Sequence, residues 1–227
     1  MLNLTLVFVF MTVLGTLTHE FGHYSVARAF GYDARINYKS VSYDKDSFFK
    51  YIDTIHKQYL YEFKNNIDFP GKKKYFETVK KFKRDSLWIT MGGPIQTMLT
   101  GTLGFIALLF YRKKFINEER VHIKAWVLIF LSLFWLRQVA NLFIAIVSYF
   151  HLGKLSISGD EMNIAMSLGI NVWSIQVLTG LIGLGVFYKV MRFLPQKLIL
   201  PFIISGMIGG VLGFYLWIIK FGQFILP

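Results

Sequence analysis

An all-α integral membrane protein with about five transmembrane helices, and a basic cytoplasmic loop able to hold a short β-hairpin, is the fold class this sequence predicts. Three observations carry it. Of the 227 residues, 54% are hydrophobic and only 17% are charged, which is more apolar than a soluble domain of this size. Five apolar runs, near 2–28, 87–111, 123–150, 171–191 and 198–219, each approach the roughly 20 residues that a bilayer crossing requires. The polar residues are gathered in turn: residues 31–85 form the one long polar segment and hold thirteen of the 25 Lys and Arg.

The net charge of +12 does not point to nucleic acid. Most basic residues lie beside apolar runs, where they orient the chain and meet the anionic head groups of a lipid bilayer. The chain has no cysteine. Disulfides and thiolate metal sites are therefore excluded, and any metal must be held by His, Asp or Glu.

The first run has no basic leader and no small-residue cleavage site, so a retained helix is expected. In the loop that follows, "ARINYKSVSY" at 34–43 alternates well enough for a short hairpin with an exposed edge. After the break at Pro70 and Gly71, "KKKYFETVKKFKRD" interleaves aromatics with lysines, as a helix lying on anionic lipid does. The second span opens with "GGP" at 92–94, and Pro94 suits the first turn of a helix. The last two spans are glycine-rich, and Gly206 and Gly210 form a G-x-x-x-G of the kind that lets helix backbones approach.

By the positive-inside rule the loop 31–85 is cytoplasmic, which puts the N-terminus outside and the C-terminus, after five crossings, in the cytoplasm. The segment 112–124 carries five basic residues on the opposite side. No internal repeat marks the duplicated halves of a secondary transporter. Residues 1–165 are expected to form a three-helix core including the basic loop, and 166–227 to add two C-terminal helices.

Against this apolar background, "THEFGHY" at 18–24 stands out, because ionisable groups inside a span are costly and functional by default. From Leu2 to His19 a helix rises about 25 Å, which places His19 near the cytoplasmic edge of the hydrocarbon. His19 and His23, at i and i+4, share one helical face and can converge on one metal ion. Glu20 follows the first histidine and can act as a general base on a water at that metal. Zinc needs a third protein ligand if water is to keep the fourth position. Asp160, just beyond the third span, returns to the side where His19 and His23 lie, and Glu161 and His151 compete with it.

With "HEFGH" at 19–23, "GGP" at 92–94 and an Asp after the third span, residues 1–165 resemble the site-2 protease group of intramembrane zinc metalloproteases. The resemblance implies Zn2+ held by His19, His23 and Asp160, with Glu20 as the catalytic base. It implies hydrolysis of a peptide bond in or near a transmembrane segment of a membrane-protein substrate. Gly92, Gly93, Pro94 and Asn141 are the expected substrate-binding residues, the glycines and Pro94 through freed backbone groups. Where that group has Asn after its Gly-Pro, this chain has Gln96 and Thr97, suited to hydrogen bonds between helices. Arg137, in the middle of the third span, should face the bundle interior or a wet cavity. A metal-binding membrane transporter or sensor, or a non-catalytic membrane scaffold, is the alternative function.

Overall fold

The structure, a computed structural model, describes residues 1–116, 120–153 and 159–227. Residues 117–119 of the second loop and 154–158, which precede Asp160, lie outside the described residues. Helix α1 spans Leu2–Ala29. Its threonines survive in apolar surroundings by bonding back to the preceding turn, Thr12 to Phe8 O at 2.8 Å and Thr16 to Thr12 O at 3.0 Å. Gly31 ends it at φ +82°, where Tyr32 N–H reaches back to Ala27 O at 3.1 Å.

The expected hairpin follows as β1 (Ala34–Ile36) and β2 (Val41–Tyr43), antiparallel, with Arg35 opposite Ser42. Its turn is closed by Asn37 Oδ1, which accepts from Lys39 N–H and Ser40 N–H at 3.2 and 2.9 Å. Two surface helices, α2 (Asp46–Gln58) and α3 (Leu60–Asn65), then lead to α4. Phe48 of α2 stacks on Phe82 with ring centroids 3.8 Å apart.

Helix α4 runs unbroken over Lys72–Phe115. This corrects two expectations. The lysine-rich stretch is helical, but it continues the span instead of lying apart from it, because no Gly or Pro occurs between Lys72 and Met91. Pro94, expected at the head of a helix, sits inside it. At 44 residues the rod is about 66 Å long, against roughly 30 Å of hydrocarbon, so its basic half stands beyond the apolar span.

The third span comprises α5 (Ile123–Ser132), a single 3₁₀ turn at Leu133–Trp135, and α6 (Leu136–Leu152). The short α7 (Asp160–Ser167) precedes α8 (Ser174–Met191) and α9 (Gln196–Phe214), and α9 continues through a π-helical stretch, Tyr215–Phe221, into α10 (Gly222–Ile225). Five helical segments among the described residues are thus long and apolar enough to cross a membrane.

Helix α1 is central, packed against α4 and α9. Gly22 and Gly92 meet backbone to backbone, and neither has room for a Cβ against the other's carbonyl. Nearer the start of α1, Gly209 and Gly213 close onto Thr5, Val9 and Thr12. Gly206 rests on the Phe8 ring while Gly210 faces open space, so the close approach is made one turn away from the G-x-x-x-G pair that the sequence singles out. The order of these contacts makes α1 and α9 parallel, as first and fifth crossings must be. Phe8 packs edge-on to Phe130 and Phe202, each at 5.0 Å, in the core shared by α1, α5, α8 and α9. The hairpin turn is fastened to the chain's end: Tyr38 N–H donates to Leu226 O at 2.9 Å and Trp217 Nε1–H to Tyr38 O at 2.7 Å.

Because Gly92 has no room for a side chain, Gly92→Val is expected to cost about 1–3 kcal/mol by overpacking. A lower melting temperature of the detergent-purified protein, relative to a Gly185→Ala control at an open position, is the measurement that checks it.

Candidate metal centre

Successive residues of a helix differ by about 100° in direction, so His19 and His23 share a face and Glu20 looks to one side of it. All three are buried, at 1%, 8% and 5% exposure. The α1–α4 contact at Gly22 and Gly92 brings Ile89, Gly93 and Thr97 against the imidazoles; these lie at i, i+4 and i+8 on one face of α4.

The hydrogen bonds settle which nitrogen of each ring is free. His23 Nδ1 lies 2.7 Å from Ile89 O, which can only accept, and 3.3 Å from Gly93 N–H, which can only donate; the much shorter contact to the carbonyl puts the proton on Nδ1. Thr97 Oγ1 donates to Gly93 O at 3.0 Å, which leaves its oxygen to accept from His19 Nδ1–H at 2.9 Å. In the neutral rings both Nε2 atoms therefore present lone pairs, and they face one another at 3.2 Å. Fixing the outer nitrogen in this way is what orients an imidazole for a metal.

Asp160, first residue of α7, closes the group. Its Oδ2 lies 2.9 Å from His19 Nε2 and 3.3 Å from His23 Nε2. Three electron-pair donors from α1 and α7 thus surround one point, where a metal cation, or a proton on one Nε2, can meet all three. Ligands about 2.0–2.1 Å from a tetrahedral ion lie about 3.3–3.4 Å apart, close to the observed 2.9, 3.2 and 3.3 Å. A Cβ on Gly93 would crowd both Nε2 atoms, so the glycine keeps that space open. The ligand atoms offered by His19, Glu20 and His23 all lie within 4.8 Å of one another, and the group can hold a metal ion.

Of the three candidates for the further ligand, Asp160 is the one at the histidines. Both oxygens of Glu161 lie 3.2 Å from Asn141 Nδ2, and His151 is exposed in the last turn of α6. Burial pushes the Glu161 carboxyl up, and the charge of Asp160 adds to this. Asn141 also accepts from Gln176 Nε2 at 2.8 Å through its backbone carbonyl, so it ties α6 to α7 and α8. Gly92, Gly93 and Pro94 are buried along the α1–α4 contact, and Pro94 deprives the Thr90 carbonyl of its helical donor.

Glu20, Thr97, Arg137 and Asn141 all line a cavity of about 870 Å³ between α1, the third span and α9, whose other walls are mostly apolar, among them Phe8, Phe130, Leu133 and Phe202. Two partners escaped the sequence reading. Ile89 acts through its backbone carbonyl, which leaves no side-chain signal. Thr97 was expected to bond between helices, and in the structure it does so by accepting from His19.

No family model, curated protein or solved structure matches this chain. The chain is a helical protein with five membrane-length apolar helices and a buried His-Glu-His group, and no family is identified.

Thr97→Val keeps the shape and removes the acceptor for His19 Nδ1–H. Metal affinity is expected to fall about 10–100-fold, read by competition with a chromophoric chelator, while the helical content stays unchanged.

Proposed function

We propose that this protein is an intramembrane zinc metalloendopeptidase of the site-2 type, hydrolysing a peptide bond in or near a transmembrane segment of a membrane-protein substrate. The observation that carries the reading is the convergence of two tautomer-locked histidines and Asp160 on one point, with the Glu20 carboxylate beside them on a cavity wall. Two imidazoles and a carboxylate, without thiolates, form a donor set suited to catalytic zinc. His19, His23 and Asp160 would hold the ion, which when bound supplies a Lewis acid and makes a nearby water acidic.

The remaining work falls to the chain's own groups. Glu20 accepts a proton from a water in the cavity as that water's oxygen bonds to the scissile carbonyl carbon. The carbon–nitrogen bond then breaks, and Glu20 returns the proton to the leaving amine. The apolar walls around Glu20 favour an apolar segment over a soluble peptide. Such a segment must be locally unwound, since a helical peptide bond is shielded by its own turn. Residues 1–165 contain every group given a role here. With the loop 31–85 in the cytoplasm, the centre lies toward the cytoplasmic face.

The test compares wild type with Glu20→Gln, His23→Ala and Asp160→Ala in detergent, measuring zinc per chain and cleavage of a panel of transmembrane model peptides. About one zinc per chain is expected in wild type and in Glu20→Gln, with strong loss from the other two. Cleavage should fall about 10²–10⁴-fold in Glu20→Gln. Equal cleavage by Glu20→Gln, or no zinc in wild type after zinc is supplied, overturns the reading.

A further inference from the structure

Arg137 lies in the first turn of α6, within the third span, and lines the same cavity as Glu20. Its Nε is buried without a hydrogen-bond partner, and among the described residues no carboxylate lies within ion-pairing distance of its guanidinium. Its charge nonetheless acts on Glu20, Asp160 and Glu161. Three acids are thus near it and none is paired with it. Glu161 is held by Asn141, Asp160 faces the histidines, and Glu20 stands on the cavity wall. An arginine inside a span is costly to insert, and leaving its buried Nε–H without an acceptor adds to that cost. A guanidinium kept in this state retains its N–H fork for an anion that arrives from outside the chain.

We propose that Arg137 is a catalytic residue that donates hydrogen bonds to the substrate carbonyl oxygen as that oxygen becomes negatively charged. The assignment rests on the metallopeptidase reading. When the oxygen of water bonds to the carbonyl carbon and its proton passes to Glu20, the carbonyl π pair moves onto oxygen and forms an alkoxide. Arg137 stabilises that charge without giving up a proton. The pair then returns, the carbon–nitrogen bond breaks, and the amine takes the proton held by Glu20. A group that meets charge present only in the transition state lowers the barrier without tightening the ground state. A transmembrane substrate also favours this role over recognition of a substrate carboxylate, because every peptide bond brings a carbonyl and few residues in a span bring an acid. Lys39, the other cation on the cavity wall, is exposed in the hairpin turn and lies over the Tyr38 ring at 5.1 Å.

The test uses wild type, Arg137→Met, Arg137→Lys and Glu20→Gln with a cleavable transmembrane model peptide and two binding probes. One probe is a phosphinate peptide, a tetrahedral anion; the other is a hydroxamate, which needs only the metal. In Arg137→Met, kcat should drop about 10²–10³-fold with KM little changed, and Arg137→Lys should recover part of it. Phosphinate affinity should fall at least tenfold while zinc content and hydroxamate affinity hold, a split that a merely structural arginine would not produce. Unchanged kcat and phosphinate affinity in Arg137→Met overturn the assignment, as does loss of zinc and hydroxamate binding together. Wild-type protein that holds no zinc and cleaves no better than Glu20→Gln fails differently: it brings down the metallopeptidase reading itself, and this assignment with it.

Discussion

Two helix backbones meet at Gly22 and Gly92, and the rest of the centre is arranged around that contact. Apolar helices in lipid gain little from hydrophobic burial against one another, so close van der Waals approach at small residues must hold them. Gly22 stands one residue before His23, and Gly92 one before Gly93. The contact that joins α1 to α4 therefore also sets the imidazoles over Ile89 O, Gly93 and Thr97. A larger residue at either glycine would push apart the walls that hold both rings.

Once the helices are in contact, unmet polar groups dictate the detail. A buried donor or acceptor left without a partner costs about 1–3 kcal/mol, and in hydrocarbon no water is at hand to relieve it. Thr97 meets this constraint twice, donating to its own helix at Gly93 O and accepting from His19 of the other. Ile89 O does the same for His23. With both outer nitrogens spoken for, the two inner ones and Asp160 are left facing one another, a cluster of acceptors that a bound cation, or a proton on one ring, satisfies.

The N-terminal half of α1 does separate work. Gly209 and Gly213 bring α9 alongside it, and the gap between α1, α9 and the third span forms the cavity onto which Glu20 and Arg137 open. The hairpin turn at Tyr38 is bonded to Trp217 and Leu226 at the end of that same α9 segment. The wall of the cavity and the loop beside it are therefore one connected piece, and motion of the C-terminal helix would be felt at the hairpin.

Periodicity and composition alone determined the five spans, the hairpin at 34–43 and the pairing of His19, Glu20 and His23, because each is set by residues close in sequence. A long apolar run admits only a helix in lipid, and the i, i+4 spacing puts two histidines on one face whatever packs against them. Partners distant in the chain were decided only by the tertiary structure. The sequence left Asp160, Glu161 and His151 as alternatives; the placement of α7 puts Asp160 at the histidines and gives Glu161 to Asn141. Pro94 read as a helix start, since a proline's missing N–H is cheapest there, yet the lysine-rich turns before it continue the same helix and carry Pro94 into its interior. Gly206 and Gly210 matched a packing motif, but the rotation of α9 against α1 gave that task to Gly209 and Gly213. Which face of a helix meets which neighbour depends on the fit of all the others, and no local pattern encodes it.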